Sequence, residues 1–96
     1  MLQHVVVAKF KPETSQDERE EIVAALRTLP GKVVDIRRFK VGLDVLHSER
    51  SYDFALVSTF DDLDALKCYQ AHPRHVPLAQ RLRAASQNLI AVDYEL

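Results

Sequence analysis

Apolar residues fall on both parities of the first β-rich run. Leu2, His4, Val6, Ala8 and Phe10 share one face, while Gln3, Val5, Val7 and Lys9 share the other. This predicts a strand over 2–10 with grease on two sides. Pro12 ends it, and Ser15-Gln16-Asp17-Glu18 then fits a capping box opening a helix whose stripe is Ile22, Val23, Leu26 and Leu29. Pro30-Gly31 stops that helix. Lys32 to Val41, rich in β-branched residues and followed by Gly42, reads as a second strand, with Arg37-Arg38 marking an edge or wet position. Leu43 to Ser51 has no clear period and reads as a loop. Tyr52 to Phe60 alternates strongly and predicts a third strand, after which Asp61 or Asp62 can cap a helix carrying Leu63, Leu66 and Tyr69, with Ala65 and Cys68 alongside. Pro73 breaks the helical pattern, which resumes over 76–85. Leu89 to Leu96 alternates as a final strand.

The order β-α-β-β-α-β, with the second helix broken, predicts an α+β, ferredoxin-like subunit with a four-stranded antiparallel sheet and helices on one face. Helices on one face leave the other open. Either the set with Val5 and Val7 or the set with Val6 and Phe10 would then form an apolar patch larger than soluble monomers usually tolerate. The simplest cover is a second copy, giving a homodimer joined through its sheet faces and burying on the order of 1,600 Å² or more.

Composition narrows the function classes. Ninety-six residues suit one domain spanning 1–96, and the 47% hydrophobic and 28% charged content is that of a globular chain with a core. Thirteen basic against fourteen acidic residues give a net charge of -1, so no electrostatic footprint for nucleic acid is present. No apolar run approaches the length needed to span a bilayer. The amino terminus, Met1-Leu2-Gln3-His4, lacks a signal-peptide pattern, so a cytoplasmic location and no membrane partner are expected. One cysteine, Cys68, excludes an intrachain disulfide and a cysteine-based metal cluster. It reads as a small core residue. With only Gly31 and Gly42 there is no phosphate-cradling loop, and no cofactor is expected.

Several stretches resemble the stress-responsive dimeric α/β-barrel family, the Dabb domains, across nearly the whole chain. They are His4-Val5-Val6-Val7 running into Lys9-Phe10-Lys11, Leu29-Pro30-Gly31-Lys32, Tyr52-Asp53-Phe54-Ala55-Leu56-Val57, Tyr69-Gln70-Ala71-His72-Pro73-Arg74-His75 and Val92-Asp93-Tyr94. The resemblance implies two ferredoxin-like subunits joining their sheets into a dimeric barrel, with roles that include stress tolerance. The family also holds a plant polyketide cyclase that performs aldol chemistry without a cofactor. By resemblance to that cyclase, His75 and Tyr69 match its catalytic histidine and tyrosine, and His4 and Asp93 match polar positions of its pocket.

The residues themselves allow two readings. Strand parity sets His4 beside Val6 and Ala8, and Asp93 beside Leu89 and Ala91, where polar groups need partners; a His4–Asp93–His75 network would supply them. In the first reading Tyr69 is a core aromatic, His72 ends a half-helix and His75 bonds across the break. In the second, a pocket walled by Val6, Ala8, Ile22, Leu26 and Leu89 takes a small apolar or aromatic molecule. There His75 removes a proton beside a carbonyl, Tyr69 steadies the oxyanion, and Asp93 or His4 orients the imidazole. His72 and His75, three apart across a proline, lack the surroundings of a metal motif. Arg37-Arg38 and Arg81-Leu82-Arg83 read as solvated surface. The expectation is a homodimeric domain with a small-molecule pocket and no assigned reaction, or else a cofactor-free cyclase- or lyase-type enzyme.

Overall fold

The computed structural model describes residues 1–96. Its elements are β1 (Leu2–Phe10), α1 (Gln16–Leu26), β2 (Arg38–Leu43), β3 (Phe54–Phe60), α2 (Leu63–Ala71), α3 (Val76–Ala85) and β4 (Ser86–Glu95), with a 3-10 turn at Leu29–Gly31. The sheet runs β2-β3-β1-β4, antiparallel throughout, with the helices packed on one face. This is the ferredoxin-like arrangement. No helix is long and apolar enough to cross a membrane.

Two local devices set the entries to α1 and α2. The Ser15 side chain accepts the Glu18 N–H, and the Asp62 carboxylate accepts the Ala65 N–H, each satisfying one of the free donors of a helix start. Only half of the expected capping box forms. The Glu18 carboxylate turns outward instead, to Arg81 Nε of α3 at 2.7 Å, and so ties α1 to α3.

The core lies between helices and sheet. Leu2, Ala8 and Phe10 of β1 and Phe54, Leu56 and Phe60 of β3 meet Ile22, Val23 and Leu26 of α1, Leu66 and Tyr69 of α2, and Leu82 of α3. Asp53 fastens the hairpin end, its carboxylate accepting the Phe10 N–H at 2.9 Å where the β1–β4 register slips. The opposite face carries Val5 and Val7 of β1 with Val57 of β3 and Ile90, Val92 and Tyr94 of β4. In a single subunit Ile90, Val92 and Tyr94 are exposed. The unshielded set is therefore the one with Val5 and Val7.

Several expected boundaries move. The second strand begins at Arg38 rather than Lys32, and Gly42 lies inside it. Val33 and Ile36 spend their backbone donors on turn bonds to Leu29 O and Val33 O, so their β-branched side chains anchor a turn rather than a strand. The first helix ends at Leu26, and Leu29 is buried from the following 3-10 turn. The third strand starts at Phe54 rather than Tyr52, and the last at Ser86 rather than Leu89. Cys68 is exposed, contrary to the expectation of a core residue. α2 buries only the narrow stripe of Leu66 and Tyr69, and Cys68 sits about 100° of helix turn away from Tyr69.

Candidate functional site

β1 and β4 lie side by side, and their register sets His4 against Asp93, Val6 against Ala91 and Ala8 against Leu89. All six face the helices. On the other side of β1, His4 pairs with Ser58 of β3. Above this strip, α2 ends at His72 because Pro73 follows, and α3 restarts after His75. His72 Nδ1 accepts the Arg74 N–H, which commits that ring to the turn. The His75 ring is thereby carried back over Tyr69.

A cavity of about 250 Å³ lies between these elements. Val6, Leu26, Leu56, Leu82 and Leu89 supply much of its apolar wall, while His4, Tyr69, Gln70, His75 and Arg83 bring polar groups to it. Its more exposed lining residues, Gln70, Arg83, Ile90 and Ala91, mark the mouth. Tyr69 lies between the histidines, with ring centroids 6.4 Å from His4 and 4.2 Å from His75. It leans on Phe60 at 5.0 Å.

Hydrogen bonding decides what each ring offers. His4 Nδ1 bonds the Asp93 carboxylate, which can only accept, so the neutral ring carries its hydrogen on Nδ1 and presents a lone pair at Nε2. His75 Nδ1 donates to Gln70 O at 3.1 Å, leaving Nε2 as its lone-pair nitrogen too. The Tyr69 hydroxyl has no protein partner; the sole sealed and unpaired side-chain atom is Ser58 Oγ, so that hydroxyl opens to the cavity. Burial pushes the Tyr69 phenol above its usual range, which keeps it a donor at neutral pH. Burial is also the main cause that lowers His75, with smaller contributions from His4 and His72, against an opposing pull from Gln70 O.

The lowered His75 value has a measurable consequence. Between that value and the usual 6.5, the unfolded chain binds more protons than the folded one, so stability rises with pH through this window and is lost as pH falls through it. Urea midpoints at several pH values across the histidine range should therefore show a steeper slope in the wild type than in His75→Gln. Identical slopes would contradict the burial of this ring.

The arrangement corrects the expected three-member network: His4 and Asp93 are joined, but His75 bonds Gln70 O across the helix break instead. His4, Val6, Leu26, Tyr69, His75 and Leu89 meet at the cavity, whereas Ala8 and Ile22 lie in the packed core beneath it. Asp93 stands behind His4. Sequence reasoning missed Ala79, Leu82 and Arg83, although with His75 they follow the i, i+4, i+7, i+8 spacing of one helix stripe. It also missed Ser58, whose sealed hydroxyl no single-strand pattern reveals. Arg37, by contrast, pairs with Asp61 at 2.9 and 2.7 Å on the surface.

Comparison with known proteins adds the following. Residues 2–96 match the family described as Stress responsive A/B Barrel Domain. The Stress-response A/B barrel domain-containing protein HS1 of Arabidopsis thaliana is 30% identical, over 98% of this chain and 88% of its own. Olivetolic acid cyclase of Cannabis sativa is 26% identical, over 97% of this chain and 94% of its own. A dimeric protein of unknown function and ferredoxin-like fold from Bacteroides fragilis superposes with a TM-score of 0.87 at 32% identity, covering 99% of this chain and 95% of that one.

Proposed function

The chain belongs to the stress-responsive A/B barrel domain family, and from that membership we propose that it is a homodimer, paired through its sheet faces, that binds a small apolar or aromatic molecule between sheet and helices. The observation that carries the reading is the cavity of about 250 Å³, where an apolar wall meets an open phenol hydroxyl and two rings whose Nε2 lone pairs are unspent. Pockets of this make-up, mostly apolar with a few convergent polar groups, are where small molecules bind.

The second reading, a cofactor-free enzyme of cyclase or lyase type, draws on the same atoms. A neutral His75 is a base at physiological pH; its Nε2 takes a proton from the carbon next to a carbonyl while the Tyr69 hydroxyl donates to the developing enolate oxygen. His4, steadied by Asp93, is a second base of defined tautomer on the other side of Tyr69. The likeness to olivetolic acid cyclase supports this reading.

A thermal-shift screen of aromatic and polyketide-like acids tests both. A ligand at a hundred times its dissociation constant stabilises the folded chain by about 2.7 kcal/mol, and a clear rise in Tm is expected for some members of the set. No shift across the whole set would count against the pocket. Where turnover is found, His75→Ala should lower it by about 10²–10⁴-fold with folding intact. Unchanged turnover in that variant would remove His75 from the chemistry.

A further inference from the structure

Arg81 and Arg83 are two residues apart on α3, about 200° of helix turn, and so they point to opposite sides. Arg81 faces α1, where Glu18 and Glu21 hold it. Arg83 faces the cavity and has no carboxylate partner. Other arginines are engaged elsewhere: Arg19 with Asp53, Arg37 with Asp61, and Arg27 with Val41 O. No aspartate or glutamate lines the cavity, and Asp93, the nearest acid in the register, already accepts from His4. Arg83 is therefore the one charged side chain lining the cavity, with the Asp93 carboxylate set behind His4.

We infer that Arg83 anchors a carboxylate at the cavity mouth, so that the ligand of this site is an amphipathic acid whose apolar body fills the interior. The inference rests on the small-molecule reading above and names its ligand class. A guanidinium presents paired N–H donors in a planar fork that matches the two oxygens of a carboxylate, and at the mouth both groups keep part of their hydration. The interior is suited to the other end of such a molecule. Its wall is aliphatic, and its volume of about 250 Å³ lies just under the range that takes drug-sized ligands, so the body is a single ring or a short chain. The Tyr69 hydroxyl and the two Nε2 atoms then meet a neutral polar group on that body, such as a carbonyl or hydroxyl.

The test is a calorimetric titration of the full chain with 4-butylbenzoate and with the uncharged 4-butylbenzamide, at low salt and pH 7.5. The benzoate should bind on the order of tenfold more tightly than the amide, and added salt should shrink the difference. Arg83→Gln should abolish the preference while leaving amide affinity within about twofold. Arg81→Gln, which removes the same charge from the opposite side of α3, should leave the preference in place. Equal binding of acid and amide by the wild type, an unchanged preference in Arg83→Gln, or an equal loss in Arg81→Gln would overturn the role of Arg83 while the pocket stands. Failure of both compounds to bind would overturn the anchor and count against the pocket itself.

Discussion

Val5→Asp is expected to sediment as a monomer at micromolar concentrations at which the wild type runs at twice its 11.0 kDa chain mass. Val5 sits on a central strand, flanked by Val57 and Val92 on the face the helices do not cover. In a lone subunit the new carboxylate would reach water from this half-buried position at small cost. In the proposed pairing it would be sealed between two sheets, and the twofold places two such charges in one interface. Removing an ion from water costs several kcal/mol when no partner compensates, and like charges add to that. Sedimentation velocity on both chains checks this. A wild type that is already a well-behaved monomer would sink the dimer, and a Val5→Asp chain that stays dimeric would move the interface off this face.

Phe60→Ala should be the most damaging single change in the helix-side core, lowering stability by about 3–5 kcal/mol and the melting temperature by roughly 12–40 °C. Phe60 is fully buried, and its ring supports Tyr69 from below. Truncation removes a large apolar surface and leaves a void that the sheet backbone cannot close. It also withdraws the floor from under Tyr69, so ligand binding should weaken with stability. Phe60→Leu, which keeps most of the apolar volume, should cost much less and retain binding. Calorimetry at matched protein concentration measures both, since an oligomer's melting point depends on concentration. A loss under about 1 kcal/mol for the alanine variant would contradict a sealed ring.

The order of elements was readable because each carries a strong local signal. Leu2 to Phe10, β-rich and apolar on both parities up to the stop before Pro12, forms β1 with those bounds, Asp62 caps α2, and Pro73 separates α2 from α3. Val33 and Ile36 look like strand residues and extend the expected second strand back to Lys32, yet they pack by closing a turn. Helical spacing gives a direction for a face but not its width, so Cys68 reads as core and yet is exposed. The site was partly readable for the same reason. Parity groups His4 with Val6 and Ala8, and Asp93 with Leu89 and Ala91, but only the fold shows that these are the helix-facing sets and only the register sets the two residues opposite one another. The reading in which His75 bonds across the helix break is met by its bond to Gln70 O, though spacing alone does not name that acceptor, and the pairing of His75 with Tyr69 comes from the family resemblance rather than from the pattern. Arg83 was hidden by its neighbour: read as a pair, Arg81 and Arg83 look like one solvated patch, whereas the helix sends them apart.

Ile90 belongs to two surfaces at once. It lines the mouth of the cavity and, opposite Val7, stands on the uncovered face of the sheet. Under the proposed pairing, a guest molecule and a twin subunit rest on opposite sides of this one stretch of β4, the guest beside Leu89 and Ala91 and the twin on the Ile90 side chain. Occupancy and assembly then become reciprocal: whatever factor the guest lends to association, association must return to the guest's affinity. A guest that favours the pair would lose hold by that same factor on dilution below the dissociation range, and one indifferent to pairing would bind equally at every protein concentration.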